Sequence, residues 1–169
     1  LAGLTYAGLA DASEIVVGTD SASISEAIAI ASAGDTIAIP AGTWLECIDT
    51  AGKSLTLTGP DATIDGTGLC DNTVRVALGE SVLFDGLTVV NATGRAFDLE
   101  WSTVALTNVT ATGTGRLDWS GGGVWAYGAA LTTTGCKFDG NLGYEGAAVY
   151  LYDYTDWHEV GSTSTDNET

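Results

Sequence analysis

Short β-like runs return along this chain at a near-constant step, and that step limits the architecture more than any other feature. Leu55-Thr56-Leu57-Thr58-Gly59 is echoed by Val82-Leu83-Phe84-Asp85-Gly86, by Val104-Ala105-Leu106-Thr107-Asn108 and by Leu131-Thr132-Thr133-Thr134-Gly135. The closing Gly or Asn recurs after 27, 22 and 27 residues, and Gly161 follows 26 residues later. A second series lies between these runs: Val74-Arg75-Val76, Phe97-Asp98-Leu99, Trp125-Ala126-Tyr127 and Val149-Tyr150-Leu151, at steps of 23, 28 and 24. Two interleaved strand series with one period point to a solenoid, each period forming one coil and successive coils stacking as parallel strands about 4.8 Å apart. A β-sandwich also has many short strands, but it does not require the same residue types to return in register.

In such a coil alternate side chains point inward, and equivalent residues stack from coil to coil. Leu57, Phe84 and Leu106 are expected to form one inward column, weakened at Thr133, and Ile64, Leu87, Val109 and Cys136 a second. On this reading Cys136 is a core residue. By the same alternation Trp125 and Tyr127 are read as core stacks.

One helix precedes the coils. Ser23-Ile24-Ser25-Glu26 is a capping box, Ile24, Ala27, Ile28 and Ala31 share a face, and Gly34 ends the element. The expected organisation is an N-terminal arm over 1–22 that contains the strand-like Glu14-Ile15-Val16-Val17, a capping helix over 23–34, and a solenoid over 35–169. The helix would cover the exposed apolar end of the stack. At the other end Ser162 to Asn167 begins another coil, so the solenoid is expected to be truncated or open there. With Leu1 first and no basic n-region ahead of an apolar run, the chain reads as a mature form or a fragment.

Charge and cysteines narrow the function classes. A net charge of −17, from 22 acidic and five basic residues, repels phosphate backbones and argues against a nucleic-acid partner. There is no apolar run long enough for a membrane-spanning helix. No Cys-x-x-Cys spacing suggests zinc or redox chemistry, and Cys47 and Cys70 are the candidate disulfide for an oxidising compartment.

The segment Ser23 to Gly68, with its helix, Gly-Asp-Thr-Ile, Pro-Ala-Gly-Thr-Trp, Lys-Ser-Leu-Thr-Leu and Ile-Asp-Gly, resembles the N-terminal part of pectin-lyase-like right-handed parallel β-helix proteins. Gly122-Gly123-Val124-Trp125 and Phe138-Asp139-Gly140-Asn141 resemble the GGA-aliphatic and FxxN repeats of polymorphic-outer-membrane-protein-type surface proteins. The resemblance implies an all-β, right-handed parallel β-helix of about five to six coils behind a short capping helix. In the opening of this repeat, Gly121–Gly123 would mark a coil corner needing close backbone approach, Phe138 a core stack, and Asn141 a residue bonding its own backbone to turn the chain.

Many proteins of that fold cleave acidic polysaccharides, but the Asn-Thr-Asp, Asp-Asp and Gly-His-Gly signatures of the polygalacturonase type do not occur here. Five scattered basic residues make a poor site for a polyanionic sugar, and His158 between acidic neighbours has no partner constellation, which makes it a surface histidine. The expectation is therefore a non-enzymatic extracellular or cell-surface scaffold, adhesin or self-assembling filament subunit, with end-to-end self-association as its partner mode. The alternative is a carbohydrate-binding module or a fragment of a polysaccharide lyase or hydrolase, recognising surface glycans.

Tyr150, Tyr152 and Tyr154 alternate, and with Trp157 they are the candidate ligand or partner face. No cofactor is called for, although Asp61, Asp65 and Asp71 could supply oxygen ligands for calcium or simply form turns. Asn91, Asn108 and Asn167 each begin a glycosylation sequon.

Overall fold

The computed structural model describes residues 12–169. Parallel sheets stack into a β-solenoid of about six turns with one short helix. The seven-stranded sheet runs Glu14–Val16, Thr36–Ala38, Thr56–Thr58, Ser81–Asp85, Thr103–Thr107, Ala130–Thr134 and Asp156–Val160. The six-stranded sheet runs Gly42–Leu45, Ala62–Asp65, Thr88–Val90, Thr110–Thr112, Lys137–Asp139 and Thr163–Thr165. The five-stranded sheet runs Ile48–Asp49, Asn72–Val76, Arg95–Glu100, Val124–Tyr127 and Val149–Tyr152.

Residue type explains the corners. Between the seven- and six-stranded sheets the chain turns through a left-handed residue, and Gly86 (φ 75°), Asn108 (φ 52°), Gly135 (φ 60°) and Gly161 (φ 66°) fill that place. Gly and Asn adopt this conformation at least cost, which is why they close the repeated runs.

The first inward column is as the spacing predicts. Leu57 pairs with Phe84, Phe84 with Leu106, and Leu106 with Thr133. The Thr133 hydroxyl is fully buried and accepts a hydrogen bond from Trp157 Nε1 at 3.1 Å, so the polar group at the weak position has a partner. The second column needs correction. Leu87, Val109 and Cys136 occupy equivalent places, but Ile64 stacks with Val89, Ala111 and Phe138. Two extra corner residues, Pro60 and Asp61, carry Ile64 to the next inward position. Cys136 is buried as a free thiol, and burial pushes its pKa up.

Trp125 and Tyr127 also need correction, because they are not core stacks. Phe97 pairs with Val124 and Leu99 with Ala126, so Trp125 and Tyr127 point outward. A one-residue slip exchanges the two faces of a strand. The inward positions of this strand are taken by the fully buried Val124 and Ala126, in a core that also holds Phe97 and Phe138.

At the N-terminal end the helix spans Ile24–Ile30 and buries Ile24, Ala27 and Ile28. It ends before the expected Gly34, at Ala31, whose backbone is extended (ψ 149°). Ser23 caps the N-terminus by accepting from the Glu26 amide. The Glu46 carboxylate accepts from the Ile24 and Ser25 amides at 2.9 and 3.0 Å, and Lys53 Nζ donates to the Ile28 and Ala29 carbonyls at 2.7 and 2.8 Å. Charges of the right sign therefore hold both ends of the helix dipole to the first coil. The strand-like part of the arm, Glu14–Val16, is the first strand of the seven-stranded sheet and pairs with Thr36–Ala38. Residues 1–11 of the arm lie outside the described residues.

At the C-terminal end the inward positions turn polar. Thr133 is followed by Glu159 and Phe138 by Ser164. Glu159 and Ser164, with Val149 and Trp157, line an open cavity of about 240 Å³ with Phe138 and Ala148 on its wall.

Candidate functional site: the outer face of the five-stranded sheet

Stacking the coils brings outward side chains of the five-stranded sheet into two rows. One row is Asp49, Arg75, Asp98, Trp125 and Tyr150. The other is Glu100, Tyr127 and Tyr152. Because neighbouring strands are about 4.8 Å apart, each row is a ladder of side chains at contact distance.

Each carboxylate of the charged half contacts an arginine. Arg75 bridges Asp49 at 3.1 Å and Glu100 at 3.2 Å, and the Asp49 hydrogen bond raises the arginine pKa further. Asp98 accepts from Asn72 Nδ2 at 2.7 Å and from Arg95 Nη1 at 3.1 Å. Burial raises the Asp98 pKa above the usual carboxylate value, and the Arg95 charge opposes that shift. Arg95 is also sandwiched by aromatic rings, 4.2 Å from the Trp125 centroid and 5.2 Å from that of Trp119. Arg116 lies 5.5 Å from the other part of this stack, over Trp119. These cation–π contacts fix the loop carrying Trp119 against the sheet.

The aromatic half is partly exposed. Trp101 meets Tyr127 edge-on at 4.9 Å, and Tyr127 lies 5.5 Å from Tyr152. Trp125 is 6.0 Å from Tyr127, and the Tyr150 and Tyr152 rings are nearly parallel, 12° apart, at 6.4 Å. Trp101 and Tyr152 are each 52% exposed. Trp101 is also left-handed (φ 46°), an unfavourable state for a bulky residue. Its indole covers Gly128, where a Cβ would approach the ring to 2.5 Å. The glycine thus makes room for the ring, and the strained corner turns Trp101 toward the aromatic rows.

The structure divides the foursome expected from sequence. Tyr150 and Tyr152 share the outer face of their strand. Tyr154 lies beyond the strand, where Asp153 (φ 30°) and Tyr154 (φ 55°) break the alternation at a corner. Trp157 is in register with buried Leu131 and points into the open end of the core. The neighbours of Tyr150 and Tyr152 are instead Trp125 and Tyr127, which the repeat series reads as core stacks, with Trp101 against Tyr127.

The remaining candidates lie elsewhere. Cys47 and Cys70 are joined in a disulfide with Cα atoms 6.3 Å apart. Among the described residues no group of three acidic, histidine or cysteine side chains is placed to hold a metal ion. Of the calcium candidates Asp61, Asp65 and Asp71, Asp65 accepts from Thr67 and Asn91. Asn91 and Asn108 sit at left-handed corners, whereas the Asn167 amide donates to the Phe138 carbonyl. His158 is exposed on the seven-stranded sheet, in register with Thr132. Asn141 also departs from expectation. Its side chain is buried and links coils, accepting from Thr114 and donating to Ala111 and Asn167, while Gly140 supplies the turn (φ 61°).

Comparison of the chain with protein-family models, with curated proteins and with solved structures finds no match in any of the three.

Proposed function

We propose that this chain is a non-catalytic extracellular or cell-surface β-solenoid that binds carbohydrate on the outer face of its five-stranded sheet. The observation carrying this reading is the pair of outward rows formed by Trp101, Tyr127 and Tyr152 and by Trp125 and Tyr150, with Trp101 and Tyr152 exposed and the other three rings half-buried. Flat apolar rings with polar edges suit the faces of sugar rings, and the adjoining carboxylates can accept from sugar hydroxyls. A non-catalytic role is supported by the pairing of the nearby carboxylates. Asp98 is tied to Asn72 and Arg95, and Glu100 to Arg75, which leaves no opposed acid and base. The Cys47–Cys70 disulfide favours an oxidising compartment. The finer kinship with pectin-lyase-like and polymorphic-outer-membrane-type proteins belongs to this proposal and rests on the sequence cues in 23–68 and 122–141.

Calorimetric titration with neutral oligosaccharides tests the reading. Tyr152→Ala is expected to weaken binding about five- to tenfold without changing the fold, as the loss of one exposed stacking ring. Unchanged affinity in that variant, or no binding by the wild type, would refute it.

End-to-end assembly is the second reading, favoured by the exposed last strands and by Leu151, Trp157 and Val160 at that end. One physical term opposes it. Head-to-tail stacking that continued the register would set the Glu159 carboxylate against Ile15. Electron microscopy over a range of salt and concentration tests this mode, and only discrete particles would exclude it.

A further inference from the structure

We infer that the aromatic face prefers glycans bearing amino groups to their neutral counterparts and rejects uronates. The inference rests on the carbohydrate-binding reading and adds the charge class of the ligand.

Its first ground is that every basic side chain of the chain is already engaged. Arg75 pairs with Asp49 and Glu100, Arg95 with Asp98, Arg116 with Asp118 and Lys137 with Asp139. The fifth, Lys53, donates to the helix carbonyls. A uronate carboxylate arriving at the face would have to displace one of these partners, and it would meet a chain of net charge −17.

The second ground is the sign of the charge around the rings. Asp49 and Glu100 share a single guanidinium, which leaves one negative charge at the head of the Tyr127–Tyr152 row. Glu145 lies beside the Tyr150 phenol, whose pKa it holds up, and Asp153 directly follows Tyr152. Residues 142–169 carry six carboxylates and no lysine or arginine. Aromatic faces themselves attract cations, so rings and carboxylates act in the same direction on an ammonium group. The Arg95 sandwich between Trp119 and Trp125 shows the same chemistry satisfied from within the chain.

The test compares three hexasaccharides by calorimetry: fully de-N-acetylated glucosamine hexamer, cellohexaose and hexagalacturonate. The first two differ in one substituent per ring. At about 20 mM salt, and at a pH where the amines are charged, the glucosamine hexamer is expected to bind about five- to tenfold tighter than cellohexaose. Hexagalacturonate is expected to bind most weakly. The ratio should fall toward one at about 0.5 M salt, and also when the amines are deprotonated while the protein carboxylates stay ionised. Glu145→Gln should lower the ratio about twofold.

Equal affinities for the two β-linked hexamers at low salt, or tightest binding of hexagalacturonate, would overturn the inference and leave the carbohydrate-binding reading standing. Binding of the glucosamine hexamer that is unchanged in both Tyr152→Ala and Trp125→Ala would overturn it as diffuse charge attraction. Binding by none of the three would remove the carbohydrate-binding reading and the inference together.

Discussion

Replacing Asn141 by alanine is the most informative single change to the fold. Its Oδ1 accepts from the Thr114 amide at 3.1 Å and from the Thr114 hydroxyl at 2.7 Å. Its Nδ2 donates to the Ala111 carbonyl and to Asn167 Oδ1, both at 3.0 Å. In Asn141→Ala the Thr114 hydroxyl keeps its bond to the Gly122 carbonyl, and Asn167 Oδ1 keeps the Asn141 amide. The Thr114 amide loses its partner, while the Ala111 carbonyl loses a second donor but stays in the ladder with Lys137–Asp139. One orphaned buried group costs about 1–3 kcal/mol. The expected loss is about 2 kcal/mol, which urea titration should record as a midpoint lowered by about 1 M. Asn167→Ala, half-buried on the last rung, should cost about 1 kcal/mol. If Asn141→Ala costs no more than Asn167→Ala, Asn141 does not cross-link coils and the reasoning fails.

Other perturbations test other parts of the structure. Gly122→Ala would drive a methyl group into the Leu142 carbonyl oxygen, and it should cost about 3 kcal/mol or prevent folding, read by urea midpoint or soluble yield. Reducing the Cys47–Cys70 bond, which spans a sequence separation of 23, should lower the unfolding free energy by about 3 kcal/mol in denaturant titrations with and without reductant. Asp35 holds the Ser13 and Ser32 amides at 2.8 Å each, and these bonds depress its folded pKa below the usual carboxylate range. Its contribution is therefore complete above the unfolded pKa and is lost as pH falls from about 4 through the depressed folded value. Asp35→Asn should flatten that part of the stability–pH curve, as followed by thermal melts from neutral to acid pH.

The repeat was readable because the solenoid converts residue type into geometry once per turn. Leu57, Phe84 and Leu106 sit in one column since each is apolar, inward and two residues before the Gly or Asn that closes its run. Where corner length varies, that ruler fails. Pro60 and Asp61 moved Ile64 by one inward place, and matching large residues by type moved Trp125 and Tyr127 to the wrong face. The second error concealed the site, because it removed from the surface the rings that flank Tyr150 and Tyr152. The necessary signal was the register itself, which sets Val124 against Phe97 and Ala126 against Leu99. The pairing of Arg75 with Asp49 and Glu100 was hidden for a related reason. Its partners lie one coil away on either side, at separations of 26 and 25 residues. The FxxN spacing likewise located Asn141 at a corner but could not identify Thr114 and Ala111 as its partners in neighbouring coils.

Chemical-shift mapping of the isotope-labelled protein during titration with cellohexaose or glucosamine hexamer tests the central claim most directly. The five indole N–H signals report on Trp44, Trp101, Trp119, Trp125 and Trp157 separately, and these rings occupy different parts of the solenoid. The account predicts saturable shifts at Trp101 and Trp125 and at the amides of Tyr127, Tyr150 and Tyr152, with Trp44 and Trp157 unmoved. Shifts centred on Trp157 and the open end, or on the outer face of the seven-stranded sheet, would contradict it.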